Sequence, residues 1–478
     1  MNQHDIERGL RNLGLRAGDI VLLHSSLSSF GKVEGGAETV VNAFLNVLDA
    51  AGTLVVPTFG ALGVITDVVR HHPRAVKSAH PLASVAAIGP RAPAICADHW
   101  KADTAHGHDT PYLRIAELGG YVYLAGVDQD RNTTLHSVEA LLELPYLSER
   151  TKTFNVDGAE ESRTWRFFPG PHRNFIGLDT LLREKGVMRV GRIGNAVIRL
   201  MKSKEMIDVC LEAGRANPAF VLCENPACAD CVAQRAAIRR ERFAGESFTL
   251  AAASGLAGRY VPEMIDNLRA AGVRHVELDY VEGKPVALLS ADRLEAVTRE
   301  LRDGGCTVIA IRCNAVPELV MGLLHSAAES GIPRVVLPLT SAAEHHARMA
   351  QEKGLTLSLF SVSSGSIQTS EEFERLARED VPVACTFNGA NFVKAGEMPF
   401  LYSYKRKLRR LVDQLDLEDC CFDGTPRALA EGNAEVKEMI SILRCANFSG
   451  FMMLTSANRA SGDLCAAVAR FEALLDSM

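Results

Sequence analysis

The chain has 478 residues, 47% of them hydrophobic and 23% charged, with a formal net charge of −6. At about 100 to 200 residues per domain this length predicts two or three domains, and so balanced a charge speaks against an electrostatic grip on nucleic acid or an anionic membrane. The opening MNQHDIERGL has no apolar run after a basic start, and no later stretch offers about 18 uninterrupted apolar residues, so a cytoplasmic protein is expected, with no nucleic-acid or membrane partner.

In chain order, "DIVLLHSSL" and "GTLVVPTF" read as buried strands, with a helix over residues 39–48 between them. In "HSSLSSFG" small hydroxyl residues and glycine follow the first strand. Such a segment offers N–H groups and hydroxyls to phosphate, or is simply a Ser-rich turn before a helix. A strand-like run over residues 121–127 then breaks into "DQDRN", and a helix is expected to start at Thr133 or Thr134. Residues three apart share a helix face, so Thr133, His136 and Glu139 line up along it. They supply a base, a carboxylate to orient it, and a hydroxyl that either caps the helix or faces a reacting carbonyl oxygen. The positive end of the helix dipole favours neutral imidazole, the form that accepts a proton. Asp130 and Asn132, on the preceding loop, sit at a strand end where substrate groups reach. The bland alternative is a capped surface helix carrying one His and one Glu.

The twelve cysteines are scattered, which favours reduced thiols over a disulfide framework. In "CENPACADC", however, Cys223, Cys228 and Cys231 have a C-x4-C-x2-C spacing that suits three thiolates on one zinc. The fourth ligand would come from Cys210 or a distant residue, and the alternative is a turn-rich linker with free cysteines. "AQRAAIRRERFAGES" reads as a charged connecting helix, which puts a domain boundary near residue 245.

Beyond it the pattern is regular. "FTLAAAS", "HVELDY", "TVIAIRC", "RVVLPLT", "LTLSLFSV", "VPVACTFN", "DCCFDGT" and "FSGFMMLT" are eight candidate strands, followed by helix-compatible segments such as 261–271, 291–303, 316–330 and 435–445. Eight alternating units in about 230 residues match a (β/α)8 barrel. Six or seven units in a doubly wound sheet is the competing architecture. The basic run "YKRKLRRL", with Lys405 and Arg410, reads as a solvated helix face.

Together, "LLHSSLSSFGKVEGGAETVVNAFLNVLDAAGTLVVPTF", "HPLASVAAIG", "LAGVDQDRNTTLHSVE", "FFPGPHRNF" and "GRIGNAVIRL" resemble the aminoglycoside 3-N-acetyltransferase (antibiotic N-acetyltransferase) family over about residues 5–215. The resemblance implies an α/β chain whose N-terminal αβα antibiotic N-acetyltransferase fold spans residues 1–215. A Cys-containing linker, 216–246, and a C-terminal TIM-like barrel, 247–478, follow. It implies acetyl-CoA as co-substrate and a small-molecule amine as acceptor. By the same match His136 is the general base, Glu139 its orienter and Thr133 the stabiliser of the oxyanion. CoA is expected at His24, Ser25, Ser26 and Gly31, with His80 and Ser84 nearby, and the acceptor at Asp109, Asp130, Asn132 and His172. One departure bears on the acceptor. Between "VPTF" and "HP" this chain runs through "GALGVITDVVRHHPRAVKSA", without the longer acidic segment usual in the family. That favours a smaller amine over a polycationic antibiotic, unless Asp103, Asp109 and Asp130 compensate.

"AAGVRHVELDY" and "LAEGNAEVKEMISILRCANFSGFMMLT" resemble the sugar phosphate isomerase/epimerase, or xylose isomerase-like, barrels over residues 248–478. That family holds a divalent metal with strand-end Glu, Asp and His. Here Ser361, Asn388 and Thr455 stand at strand ends, leaving Glu277, Asp279 and Asp423, with His345 and His346 on a helix start. A barrel that has lost its chemistry and serves binding, ordering or homo-oligomer formation is therefore expected. A metal-dependent isomerase with an auxiliary first domain, and a wholly non-catalytic scaffold, are the competing functions.

Overall fold

The computed structural model describes residues 1–478 except Pro171, Ala315, Val316 and Ser363, and it leaves the side chains of Pro317, Glu318, Arg459, Ala460 and Ser461 outside the description. The chain divides into two units, Met1–Ile238 and Arg239–Met478.

The first unit is built on strands β1 (Ile20–Ser25), β2 (Thr53–Pro57), β3 (Val76–Lys77), β4 (Val85–Ile88), β5 (Tyr121–Ala125), β6 (Ser148–Val156), β7 (Ala159–Phe167), β8 (Met188–Ile193) and β9 (Ala196–Lys202). Seven of them form one mixed sheet in the order β3-β4-β2-β1-β5-β9-β8, while β6 and β7 make a separate hairpin. β1 runs parallel to both β2 and β5, with Val21 opposite Tyr121 and Ser25 opposite Ala125. Both faces of the sheet are covered, as the near-continuous apolar runs demand. Val21, Leu23, Tyr123 and Ala125 pack into one core with Ile6, Leu10, Val40 and Phe44 from two helices. Val122 and Leu124, one register step away, pack on the other side with Leu135, Val138 and Met206. The helix expected over 39–48 begins earlier and runs Gly36–Leu48, starting after a left-handed Gly35.

The second unit is a closed barrel of eight parallel strands, the arrangement of a TIM barrel. The strands are Thr249–Ala253, His275–Leu278, Thr307–Arg312, Arg334–Pro338, Thr356–Phe360, Ala384–Asn388, Val412–Asp416 and Phe451–Leu454. The doubly wound alternative is excluded by closure. Helices Val261–Ala271 and Ala291–Asp303 have the expected bounds. The helix expected from Val316 is described from Pro317 to Glu329, Val316 lying outside the described residues. One strand differs. The seventh is Val412–Asp416 rather than "DCCFDGT", of which only Asp419–Cys420 is extended, in a small ladder with Pro426–Arg427. "VDQLD" escapes an apolar-run criterion because Gln414 and Asp416 are buried polar residues that point into a charge network. The basic run lies in the π-helical segment Pro399–Leu408 and in the turn after it.

Candidate active site

The strand expected over 121–127 stops at Ala125, because Gly126 turns the chain at a φ of 70° where a Cβ would run into the Ser29 side chain. Arg199 then pins the polar loop: its Nη1 donates to the Val127 carbonyl at 3.2 Å and its Nη2 to Asp128 at 3.0 Å. The Asp128 carboxylate in turn accepts from the Gln129 amide, starting the short 3-10 turn Gln129–Arg131. The next helix, Leu135–Leu141, has Thr134 at its N-cap position with no side-chain cap, so neither Thr133 nor Thr134 caps it. Instead the Thr134 amide donates to the Asn132 side chain at 3.2 Å.

His136, in the first turn of that helix, reaches back one turn to Glu139, with Nδ1 and Oε2 2.5 Å apart. Glu139 is fully buried and accepts two further hydrogen bonds on Oε1, from the Tyr146 hydroxyl at 2.7 Å and from Arg173 Nε at 2.6 Å. Phe168 stacks on the imidazole, with centroids 3.5 Å apart and planes 3° from parallel. The His136 side chain keeps 13% of its surface exposed. It lines a cleft of about 990 Å³, together with His24, Ser25, Ser26, Gly31, Asp130 and Thr133.

These contacts fix the protonation pattern. Burial alone would raise the Glu139 carboxyl, yet His136 and Arg173 beside it hold it below its ordinary value. Burial pushes the His136 imidazole below its ordinary value, outweighing the pull of Glu139. An ionised carboxylate only accepts, so Nδ1 carries the ring hydrogen and the lone pair sits on Nε2. A neutral imidazole with its lone pair on Nε2, backed by a buried carboxylate, has the chemistry to accept a proton. The Thr133 hydroxyl lies beside the cleft, buried and without a well-formed hydrogen bond of its own. It sits near enough to Tyr112 to offset part of the rise that burial imposes on that phenol.

The structure brings Thr133, His136 and Glu139 together with His24, Ser25, Ser26, Gly31 and Asp130 around this cleft. The other expected residues stand elsewhere. Asn132 is buried and bonded to Gln129, with its amide against Met206 sulfur, so it shapes the loop and faces no ligand. Asp109 is exposed, at a φ of 60°, and Asp103 is exposed beside Arg163; neither lines the cleft. His80 is buried against His99 and Trp165, its Nδ1 accepting from the Leu82 and Ala83 amides. Ser84 is tied to the Thr58 hydroxyl at 3.0 Å. His172 lies with the three clustered cysteines, and Cys210, the fourth ligand considered for them, is instead a buried core residue. The motif "FFPGPHRNF" therefore serves the dyad through Phe168 and Arg173. Those two and Tyr146 escaped sequence reasoning, because their contacts with His136 and Glu139 are not periodic in the chain.

The barrel's strand-end acids are committed to arginines and to backbone. Glu277 accepts from Arg312 at 2.5 Å, and Asp416 from the same guanidinium at 2.8 Å. Asp279 accepts from Ser254, Ser456 and the amides of Gly255 and Tyr280. Asp423 is exposed on a turn, so it belongs to no strand end. His345 and His346 fall within the helix Ala343–Glu352. Among the described residues, the one group of His, Cys, Asp or Glu with metal-ligand spacing is the cysteine cluster of the first unit.

The family model for aminoglycoside 3-N-acetyltransferase matches residues 22–61 and 60–213. Aminoglycoside N(3)-acetyltransferase IV of Salmonella sp is 33% identical over 218 residues, covering 42% of this chain and 83% of that protein. Aminoglycoside N(3)-acetyltransferase VIII of Streptomyces fradiae is 35% identical over 253 residues, covering 42% of this chain and 87% of that protein. The crystal structure of the aminoglycoside acetyltransferase AAC(3)-IVa apoenzyme is 30% identical, covers 50% of this chain and 97% of that one, and superposes with a TM-score of 0.45. Through its first half the chain belongs to the aminoglycoside 3-N-acetyltransferase family, and it is an N-acetyltransferase. Among the described residues no helix is long and apolar enough to cross a membrane.

Proposed function

We propose that the first unit transfers the acetyl group of acetyl-CoA to an amine of a small molecule held in the cleft, with His136 as general base. The observation that carries this reading is the buried Glu139 carboxylate on Nδ1 of a His136 that lines the cleft, which leaves Nε2 to take a proton. The amine nitrogen attacks the thioester carbonyl carbon, and the new C–N bond forms as the carbonyl electrons move to oxygen. Nε2 takes the proton from that nitrogen, and Glu139 stabilises the imidazolium. When the oxyanion collapses the C–S bond breaks, and the imidazolium returns its proton to the departing CoA sulfur. Thr133 donates its hydroxyl to the oxyanion. His24, Ser25, Ser26 and Gly31, on the β1 side of the cleft, receive CoA. Direct attack suffices, because both reactants are held in one cleft.

The acceptor is an amine of low charge. Asp130 is the one carboxylate among the residues that line the cleft, and Arg131 pairs with it at 3.3 Å. The wall from Phe59 to Ile65 is apolar apart from backbone. A ligand with several ammonium groups would lose water there without gaining enough carboxylate partners. The barrel's self-paired acids favour a binding or ordering role over metal-dependent isomerisation.

Calorimetry with acetyl-CoA on the intact protein, beside steady-state assays over a panel of amines, tests both halves of the proposal. Ser26→Asp is expected to abolish acetyl-CoA binding. His136→Ala is expected to spare it and to lower turnover by about 10² to 10⁴. Unchanged turnover in His136→Ala overturns the base, and a polycationic aminoglycoside outperforming every amine of low charge overturns the acceptor class.

A further inference from the structure

We infer that His172, Cys223, Cys228 and Cys231 form a structural zinc site that clamps the segment carrying Phe168 and Arg173. The four donor atoms lie within 4.8 Å of one another. His172 Nδ1 is 3.2 Å from the Cys231 sulfur and 3.4 Å from the Cys228 sulfur. With Zn–S of about 2.3 Å and Zn–N of about 2.0 Å, tetrahedral donors stand about 3.5 to 3.8 Å apart, so small adjustments suffice to close the site.

The donor set selects the ion. Three thiolates and one imidazole suit zinc, whereas calcium and magnesium require oxygen ligands. Four protein donors complete a tetrahedron and leave no position for substrate, which marks a structural centre. A disulfide would use two of the cysteines and strand the third beside an idle imidazole, and all three stand unbridged. Supporting contacts are already in place around the donors. The Cys223 amide donates to the Cys231 sulfur at 3.3 Å, as amides do toward metal thiolates, and the His172 amide donates to Asp230 at 3.2 Å.

The four donors come from two stretches far apart in sequence. Cys223 and Cys228 lie just before the helix Ala229–Ala244, which carries Cys231, while His172 lies between Phe168 and Arg173 in the chain. Otherwise that segment is tied to the helix by the Asp230 contact and by Gln234 donating to the Pro169 carbonyl at 3.1 Å. A metal cross-link would replace these weak polar contacts with bonds strong enough to contribute to folding. It would thereby hold Phe168 on the His136 ring and Arg173 on Glu139.

Elemental analysis of protein purified without chelator tests the site independently of acetyl transfer, so its failure would leave the proposed reaction standing. About one zinc per chain is expected. Cys228→Ser and Cys231→Ser should lose it, Cys445→Ser, an exposed cysteine of the barrel, should keep it, and His172→Ala should weaken it while His172→Cys restores it. Cobalt loaded in place of zinc should show the intense absorption of tetrahedral thiolate coordination, lost in Cys228→Ser. If Cys231→Ser does not fold, Cys228→Ser, at a half-buried position, carries the test. Zinc-free protein that also fails to take up zinc under reducing conditions overturns the site. So does zinc retained by Cys228→Ser, or a denatured thiol count two short of twelve.

Discussion

The Phe168 ring lies flat on the His136 imidazole, centroids 3.5 Å apart and planes within 3° of parallel, while Glu139 holds Nδ1 of the same ring at 2.5 Å. The stacking fixes the plane of the ring and the hydrogen bond fixes its rotation within that plane. Together they aim Nε2, and a base that is aimed before the substrate arrives loses less freedom in the transition state.

Phe168→Leu should therefore lower kcat while leaving the fold intact. An aromatic pair of this kind is worth about 0.5–1.5 kcal/mol, which corresponds to about a twofold to tenfold loss in rate. Phe168→Tyr, which keeps the ring, should retain most of the rate. Steady-state kinetics on the two variants decides it, and equal kcat for Phe168→Leu and the parent would show that the stack does not position the base.

Arg173 has a different role, because its loss strands a charge. Its side chain is 2% exposed, and its Nε meets Glu139 while Nη1 donates to the His172 carbonyl at 2.7 Å. Arg173→Ala leaves a buried carboxylate short of one partner and the His172 carbonyl without its donor, while Gln234 still serves the Pro169 carbonyl, a loss of about 3–5 kcal/mol. Arg173→Lys should recover only part of it, since an ammonium cannot span Glu139 and the loop carbonyls together. Denaturant unfolding of the first unit would measure this, and a change under about 1 kcal/mol would contradict it.

Acid should destabilise the first unit before its carboxylates titrate. Burial lowers His24 and His80 to about 3 and His99 to about 4, from an ordinary 6.5. The unfolded chain binds protons at these sites from about pH 6.5 downward, while the folded chain does not until about pH 4 or below. Stability is thus fully present above 6.5 and falls as pH drops through that window, with a limiting slope of about 1.4 kcal/mol per pH unit for each histidine. Unfolding midpoints between pH 7.5 and pH 4.5 would show the slope, and His80→Asn should reduce it. A flat profile would mean that these imidazoles are not neutral in the fold.

In the first unit β1, β2 and β5 were legible as short apolar runs, and the helix that presents His136 and Glu139 was legible because spacing of three is a helical signal. What escaped has a common cause. Tyr146, Phe168 and Arg173 reach the dyad from other segments, and no local pattern encodes a contact between residues 139 and 173. His80 and Ser84 have partners within the fold, the Leu82 and Ala83 amides and the Thr58 hydroxyl, that residue spacing does not reveal. In the barrel seven strands announced themselves by apolar runs, while Val412–Asp416 hid because it carries Asp416 and Asp413, which pair with Arg312 and Arg334, and Gln414, which bonds to Arg334.

That hidden strand sets the most demanding expectation for the second unit. Arg312, only 10% exposed, bridges Glu277 and Asp416, both fully buried, from three different strands of the barrel, and Arg334 stands 3.8 Å from Glu277. Burial raises the Asp416 carboxyl to about 6 even with Arg312 pulling it down. Arg312→Ala removes that pull and leaves two buried carboxylates against one remaining guanidinium, which should destabilise the barrel by about 3–5 kcal/mol. A carboxyl whose pKa is raised in the fold is most favourable when protonated, so its contribution is present at low pH and is lost as pH climbs through the folded value. The variant should accordingly be less destabilised at pH 5.5 than at pH 8, whereas most substitutions would show no such dependence. Replacing Arg312, Glu277 and Asp416 together by apolar residues of similar size should cost much less than Arg312→Ala alone, because no unpaired charge remains. Denaturant titrations of the three proteins at both pH values would decide it. Equal losses for the single and triple variants would mean that the network is held by packing rather than by charge.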